Sequence, residues 1–214
     1  KISWKLQFEI YAIGIPASVT NIMATFAVAL TNRYLIVYGA DSVAAMGIAM
    51  KANMIINMVM VGFAFGAQPL IGYVYGAKDE QRFNKVVKFD IQVVASLALI
   101  LTIILFIFAP QVIRIFMNDP QIVKEGALML RWLSVSTTLA GIILVFTTMF
   151  QSMGKATPAF WLSFCRQGLI FGVVISISAK LFGYTGIIAA QAISDCLTFI
   201  LALIFFYCYR PRFK

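Results

Sequence analysis

Long apolar runs, separated by short polar breaks, follow one another along the whole chain. Crossing about 30 Å of hydrocarbon takes roughly 20 helical residues, and six runs are long enough: 10–38, 42–75, 86–108, 122–151, 158–182 and 187–209. The first ends at Gly39-Ala40-Asp41 and the third at Ala109-Pro110. The fourth begins after Asn118-Asp119-Pro120, where Asp119 can cap and Pro120 can fill the first helical turn. The connections are short, which makes sequential helices antiparallel neighbours, and the stretch from Pro110 to Pro120 is expected to form a short interfacial turn. The pattern predicts an all-α integral membrane protein, residues 1–214 forming a single lobe of six transmembrane helices.

Polar residues inside these runs recur at helical spacing. The first run carries Ser18, Asn21, Thr25 and Asn32, and the second Met46, Met50, Asn53, Asn57, Ala64 and Gln68. The fourth carries Ser134, Thr138, Gly141, Thr148 and Ser152. Polar groups in lipid cost free energy unless they face partners or water. Packing between helices could use them, at about 0.6 kcal/mol each. Three separate stripes exceed that need and predict a shared aqueous cleft, one wall of it rich in adaptable methionine.

Three ionisable groups fall within the spans: Lys51, Arg166 and Asp195. Counting rises of 1.5 Å per residue puts Arg166 and Asp195 roughly 9 Å apart in depth, within reach of a guanidinium fork. They are expected to pair, unless Arg166 snorkels to the interface. Asp195 must find a donor or be protonated, which makes it the candidate proton site. Glu9 and Asp90 fall near the ends of their runs and are read as interfacial. Pro16 permits a bend in the first helix. Gly62, Gly66, Pro69, Gly72 and Gly76 in the second allow hinging or close helix approach, or simply fit the packing.

Composition strengthens the membrane reading. The chain is 62% hydrophobic and 12% charged, with mean hydropathy +0.93; soluble domains are about a quarter charged. The excess of 17 Lys and Arg over 8 Asp and Glu sits at the ends of apolar runs, as membrane anchors do, and argues against nucleic acid. An inner N-terminus would put Lys1, Lys5, Lys78, Arg82, Lys85, Lys88, Lys155, Arg210, Arg212 and Lys214 on the cytoplasmic side. Arg33, Lys51, Arg114, Lys124, Arg131 and Lys180 would lie towards the other side, so both termini are expected in the cytoplasm. The three cysteines make no disulfide framework, and the absence of histidine removes His-based catalysis and His-held zinc or haem. Tyr75–Glu80 lacks the Gly-Lys-Ser/Thr of a phosphate loop. No enzyme is indicated and no cofactor. No signal peptide is visible and the chain starts at Lys1 instead of Met, so it is read as a piece of something longer.

A family resemblance rests on Gly14-Ile15-Pro16, the stretch from Gly66 to Lys88, Asn118-Asp119-Pro120, Phe150 to Ala159, Cys165-Arg166-Gln167 and Ile193-Ser194-Asp195. In that order they resemble the C-terminal half of multidrug and toxic compound extrusion (MATE) transporters, in particular the bacterial MepA-like branch. The resemblance implies one lobe of a twelve-helix transporter in the inner or plasma membrane. It implies export of cationic or amphipathic drugs, driven by Na+ or H+ entry through alternating access. Its central cleft would be lined by the first, second and fourth helices of each lobe. The expected partners are drugs, the bilayer, and an N-terminal lobe or a second copy of this chain. Some branches place carboxylates within the first and fourth helices of this lobe; here only Glu9 and Glu125 come near, at helix ends. The main ion site is therefore expected in the other lobe. The alternatives are a flippase for lipid-linked oligosaccharides or similar amphiphiles, and a half that works as a homodimer.

Overall fold

The computed structural model describes the backbone of residues 4–209, and the side chains of those residues except 5–17 and 20. The elements are α1 (Trp4–Leu35), a 3-10 turn (Ile36–Tyr38), α2 (Ala40–Gly76), α3 (Glu80–Phe116), α4 (Pro120–Ser152), α5 (Ala156–Phe164), a π-turn (Cys165–Leu169) and α6 (Ile170–Tyr209). Among the described residues four continuous helical stretches are long and apolar enough to cross a membrane: Ala40–Gly76, Glu80–Phe116, Pro120–Ser152 and Ala156–Tyr209.

Local signals explain where these helices start. Asp119 Oδ1 accepts the backbone N–H groups of Gln121 and Ile122, so α4 begins at Pro120 as the sequence predicts. The predicted start of α3 is six residues late. Asp79 caps it at the Arg82 N–H, and the charged 80–88 segment is already helical. The end of α3 is also later than predicted. Pro110 lies inside the helix, and the expected interfacial turn after it is helix to Phe116.

The last stretch differs most from the prediction, because helix continues through the expected loop at 183–186. Its break is a single residue, Gly183, at φ 57 and ψ −130. Arg166 and Asp195 touch although 29 residues separate them; a straight helix would hold them about 43 Å apart. The chain therefore doubles back at Gly183. A Cβ on Gly186 would collide with the Ser178 carbonyl, so this tight reversal requires glycine there.

Packing centres on α4, which contacts α2, α3, α5 and α6. The apolar core runs from Leu35, Met46, Ile113, Leu130 and Ile175 at one end, through Met60, Val94 and Val145, to Ile71, Phe83, Phe150 and Leu162 at the other. α1 leans on α5, the π-turn and α6 and touches α2 only sparsely. Close helix approach is made at glycines other than those singled out in the sequence. Nothing lies within 4 Å of a Cβ built on Gly62, Gly66 or Gly76, and on Gly72 it meets Ser152 at an ordinary 3.6 Å. At Gly141 it would stand 3.0 Å from Val94 Cγ1, and at Gly168 2.7 Å from Met23 Sδ. Pro69 is exposed within α2. Pro16 and Glu9 lie outside the described side chains.

Candidate functional site: a buried carboxylate cluster and two kinds of polar face

Asp195 lies on the inner stripe of α6, with Thr198 and Ala202, and is 0% exposed. Its Oδ1 accepts from Arg166 Nε at 2.7 Å, and Oδ2 accepts from Arg166 Nη2 at 3.5 Å. The Ser136 hydroxyl of α4 donates closely to Oδ2. Gln191, one turn earlier on α6, reaches both oxygens at 3.3 Å. One carboxylate thus ties α4, the π-turn and α6 together.

The π-turn makes that geometry. Its wider winding is characteristic of functional bulges, and it carries Arg166 two residues before Gly168. The Ser194 hydroxyl donates to the Arg166 carbonyl at 3.0 Å, fixing the turn from the α6 side. On the α1 side Met23 fills the space that a side chain at position 168 would occupy. The Arg166 side chain is 21% exposed, so the pair is internal but not sealed. Arg166 pairs and does not snorkel away. Lys51, the third intramembrane charge, is exposed on α2 and joins no ion pair.

The polar stripes divide into two extremes and one between them. On α1, Ser18, Asn21 and Thr25 are exposed and Asn32 is half-buried; Thr25 Oγ1 donates back to the Asn21 carbonyl at 3.1 Å. The α4 stripe is internal. Ser134 and Thr148 are fully buried, and Thr148 bonds its own helix at the Val145 carbonyl. Thr138 lies 3.2 Å from Thr102 Oγ1, which donates to the Ser134 carbonyl. The α2 stripe is intermediate. Asn53 is 8% exposed and accepts from Thr137 Oγ1 at 3.0 Å, while half-buried Asn57 donates to the Asn53 carbonyl. Met50 and Gln68 are half-buried, and the Gln68 carbonyl accepts from Ser152 Oγ. Asn53 and Thr148 therefore face the interior of this lobe, where they satisfy helix-to-helix and back-bonding needs.

Sequence reasoning missed several groups. Gln191 could have been found from its place four residues before Asp195, whereas Ser136 and Thr102 had no such marker. Glu125, at the start of α4, accepts from Ser42 Oγ at 2.6 Å and Tyr184 OH at 2.9 Å, and it latches α2 to the Gly183 reversal. Tyr38 packs edge-on to Tyr184, with ring centroids 5.2 Å apart. Asp90, read as interfacial, is 5% exposed on the inner stripe of α3, and its Oδ2 has no hydrogen-bond partner. Among the described residues no three His, Cys, Asp or Glu are grouped to hold a metal ion.

Long apolar helices with internally satisfied polar groups define a membrane-embedded, multi-pass helical protein. The chain belongs to the MatE family, whose model matches residues 16–178. It is similar to the protein named Multidrug export protein MepA of Staphylococcus saprophyticus, 29% identical over 208 residues, covering 97% of this chain and 46% of the relative. To the MepA of Staphylococcus aureus strain MSSA476 it is 29% identical over 204 residues, covering 95% of this chain and 45% of that protein. The chain thus spans about half the length of the curated relatives it matches. Its fold is that of solved MATE transporters. An outward-facing multidrug resistance MATE family transporter superposes with TM-score 0.90 at 20% identity, over 98% of this chain and 48% of that one. A MATE crystallised in complex with MaL6 gives 0.89 at 19% identity, over 98% and 48%.

Proposed function

We propose that this chain forms one six-crossing lobe of a cation-coupled multidrug exporter that works by alternating access. The six crossings are α1, α2, α3, α4, α5 with the first arm of α6, and the second arm of α6 after Gly183. The carrying observation is that Asn21 and Thr25 stay exposed on α1 while Ser134, Ser136, Thr137, Thr147 and Thr148 of α4 are buried. A polar face exposed on a membrane helix favours water or another polar surface opposite it. The cleft wall is then the α1 face with Asn21, Thr25 and Asn32, continued by Met50, Lys51, Asn57 and Gln68 of α2. A second lobe, or a second copy of this chain, closes the cleft, and the drugs are cationic or amphipathic. Both termini lie in the cytoplasm, placed there by the basic turn of Lys78, Arg82, Lys85 and Lys88.

Asp195 acts in this reading as a structural tie, because its oxygens are already engaged. Asp90, buried with an unpartnered oxygen, is among the described residues the group best placed to take the coupling cation, Na+ or H+. Cysteine labelling tests the cleft. With Cys165, Cys196 and Cys208 replaced by serine, Asn21→Cys and Thr25→Cys should react with a membrane-impermeant maleimide in proteoliposomes, and Thr148→Cys should not. Protection of both α1 positions in every state sampled would remove the cleft. Failure of the chain to export a lipophilic cationic dye, alone and with a second lobe supplied, would remove the exporter.

A further inference from the structure

The α3–α4 hairpin forms a half-open cavity of about 350 Å³, lined by Pro110, Arg114, Asn118, Val123, Lys124 and Arg131 among others. Its charged lining is wholly cationic. The neighbouring acids are turned elsewhere: Asp119 caps α4, and Glu125 is held by Ser42, Tyr184 and Gln121. Among the described residues Arg114, Lys124 and Arg131 join no ion pair.

The cations are also arranged in depth. Lys124 and Arg131 lie seven residues apart on one face of α4, about 10 Å along its axis. Arg131 is held in place, its Nε donating to the Phe106 carbonyl at 3.1 Å and its guanidinium standing 5.3 Å from the centre of the Phe106 ring. Below them the surface is apolar and open, with Ile103, Ile107, Leu128 and Val135 all exposed. Cations above an apolar flank match one kind of ligand: a phosphate carrying hydrocarbon.

We propose that this cavity binds the phosphate head group of an anionic phospholipid, with its acyl chains along the α3–α4 flank. The site is independent of the transport reading and of the cleft on α1 and α2. Native mass spectrometry of the whole chain in mild detergent tests it, with phosphatidylglycerol, phosphatidylcholine and glycerol phosphate as probes. Phosphatidylglycerol should be retained in preference to phosphatidylcholine. Arg114→Gln and Lys124→Gln should each weaken its retention roughly fivefold; both side chains are exposed and carry no hydrogen bond, so folding should survive. Arg131→Lys, which keeps the charge, should weaken retention less than Arg131→Gln. The paired change Lys85→Gln and Lys88→Gln, at the opposite end of α3, should leave it unchanged. The proposal is overturned if that distant pair costs as much as the cavity changes, or if phosphatidylcholine is held equally well. Glycerol phosphate binding as tightly as the lipid would replace the lipid by a free anion and overturn it too.

Discussion

Two aspartates are buried in this helical bundle, and their surroundings are opposite. Asp195 meets donors from α4, the π-turn and its own helix. Asp90 sits on the α3 stripe between Val87, part of one apolar cluster, and Val94, part of another, and keeps an oxygen without a partner. Depth alone does not distinguish them. What differs is whether the chain brings a second polar element to the same spot. Where it does, a buried charge becomes a joint between helices. Where it does not, the group is left for a ligand, a proton or water to complete.

The contrast can be broken most forcefully at Asp195. Asp195→Asn should cost about 3–5 kcal/mol by leaving Arg166 buried and unpaired, read as a lower thermal unfolding midpoint in detergent. The paired change Arg166→Met with Asp195→Leu should recover much of that loss, because replacing a buried ion pair by apolar groups is often neutral. A single variant as stable as the parent would show that the pair ties nothing. Next comes Ser136→Ala, expected to cost about 1.5–3 kcal/mol as the loss of a hydrogen bond to a charged group. If the same assay shows no change, the Ser136–Asp195 bond does not hold α4 to α6. The smallest effect, and of opposite sign, is expected at Asp90. Asp90→Val, matching Val87 and Val94, should raise stability by about 1 kcal/mol by removing the unsatisfied acceptor, while impairing any cation-driven export. A loss comparable to that of Asp195→Asn would mean Asp90 has a partner after all, and the contrast would collapse.

The sequence made some of this legible and hid the rest for physical reasons. Apolar runs showed where helix must lie, and Asp119-Pro120 marked the start of α4, because capping chemistry is local. The charged opening of α3 was missed since an apolar window ignores an amphipathic turn, and Pro110 was overread as a stop. The Arg166–Asp195 pair was legible because both charges lie deep on adjacent crossings with few other partners. The two kinds of polar stripe were not separable. Spacing says that Thr148 and Thr25 each share a face with other polar residues, but not whether another helix covers that face. The packing around Asp90 was hidden on the same ground, because nearness to the end of an apolar run does not say which side chains surround it.

The seating of α1 sets an order of assembly. Tyr34 of α1 donates to Ser176 of α6 at 3.1 Å across 142 residues of chain, and Met23 fills the hollow at Gly168. At about 5–20 residues per second of synthesis, that separation is on the order of ten seconds. For that time α1 is in the bilayer or the insertion machinery with its docking surface not yet made, its amides in need of a temporary host. A bulky residue at position 168 would leave the early helices inserting normally and would fail only at the last step, when α1 finds its seat taken.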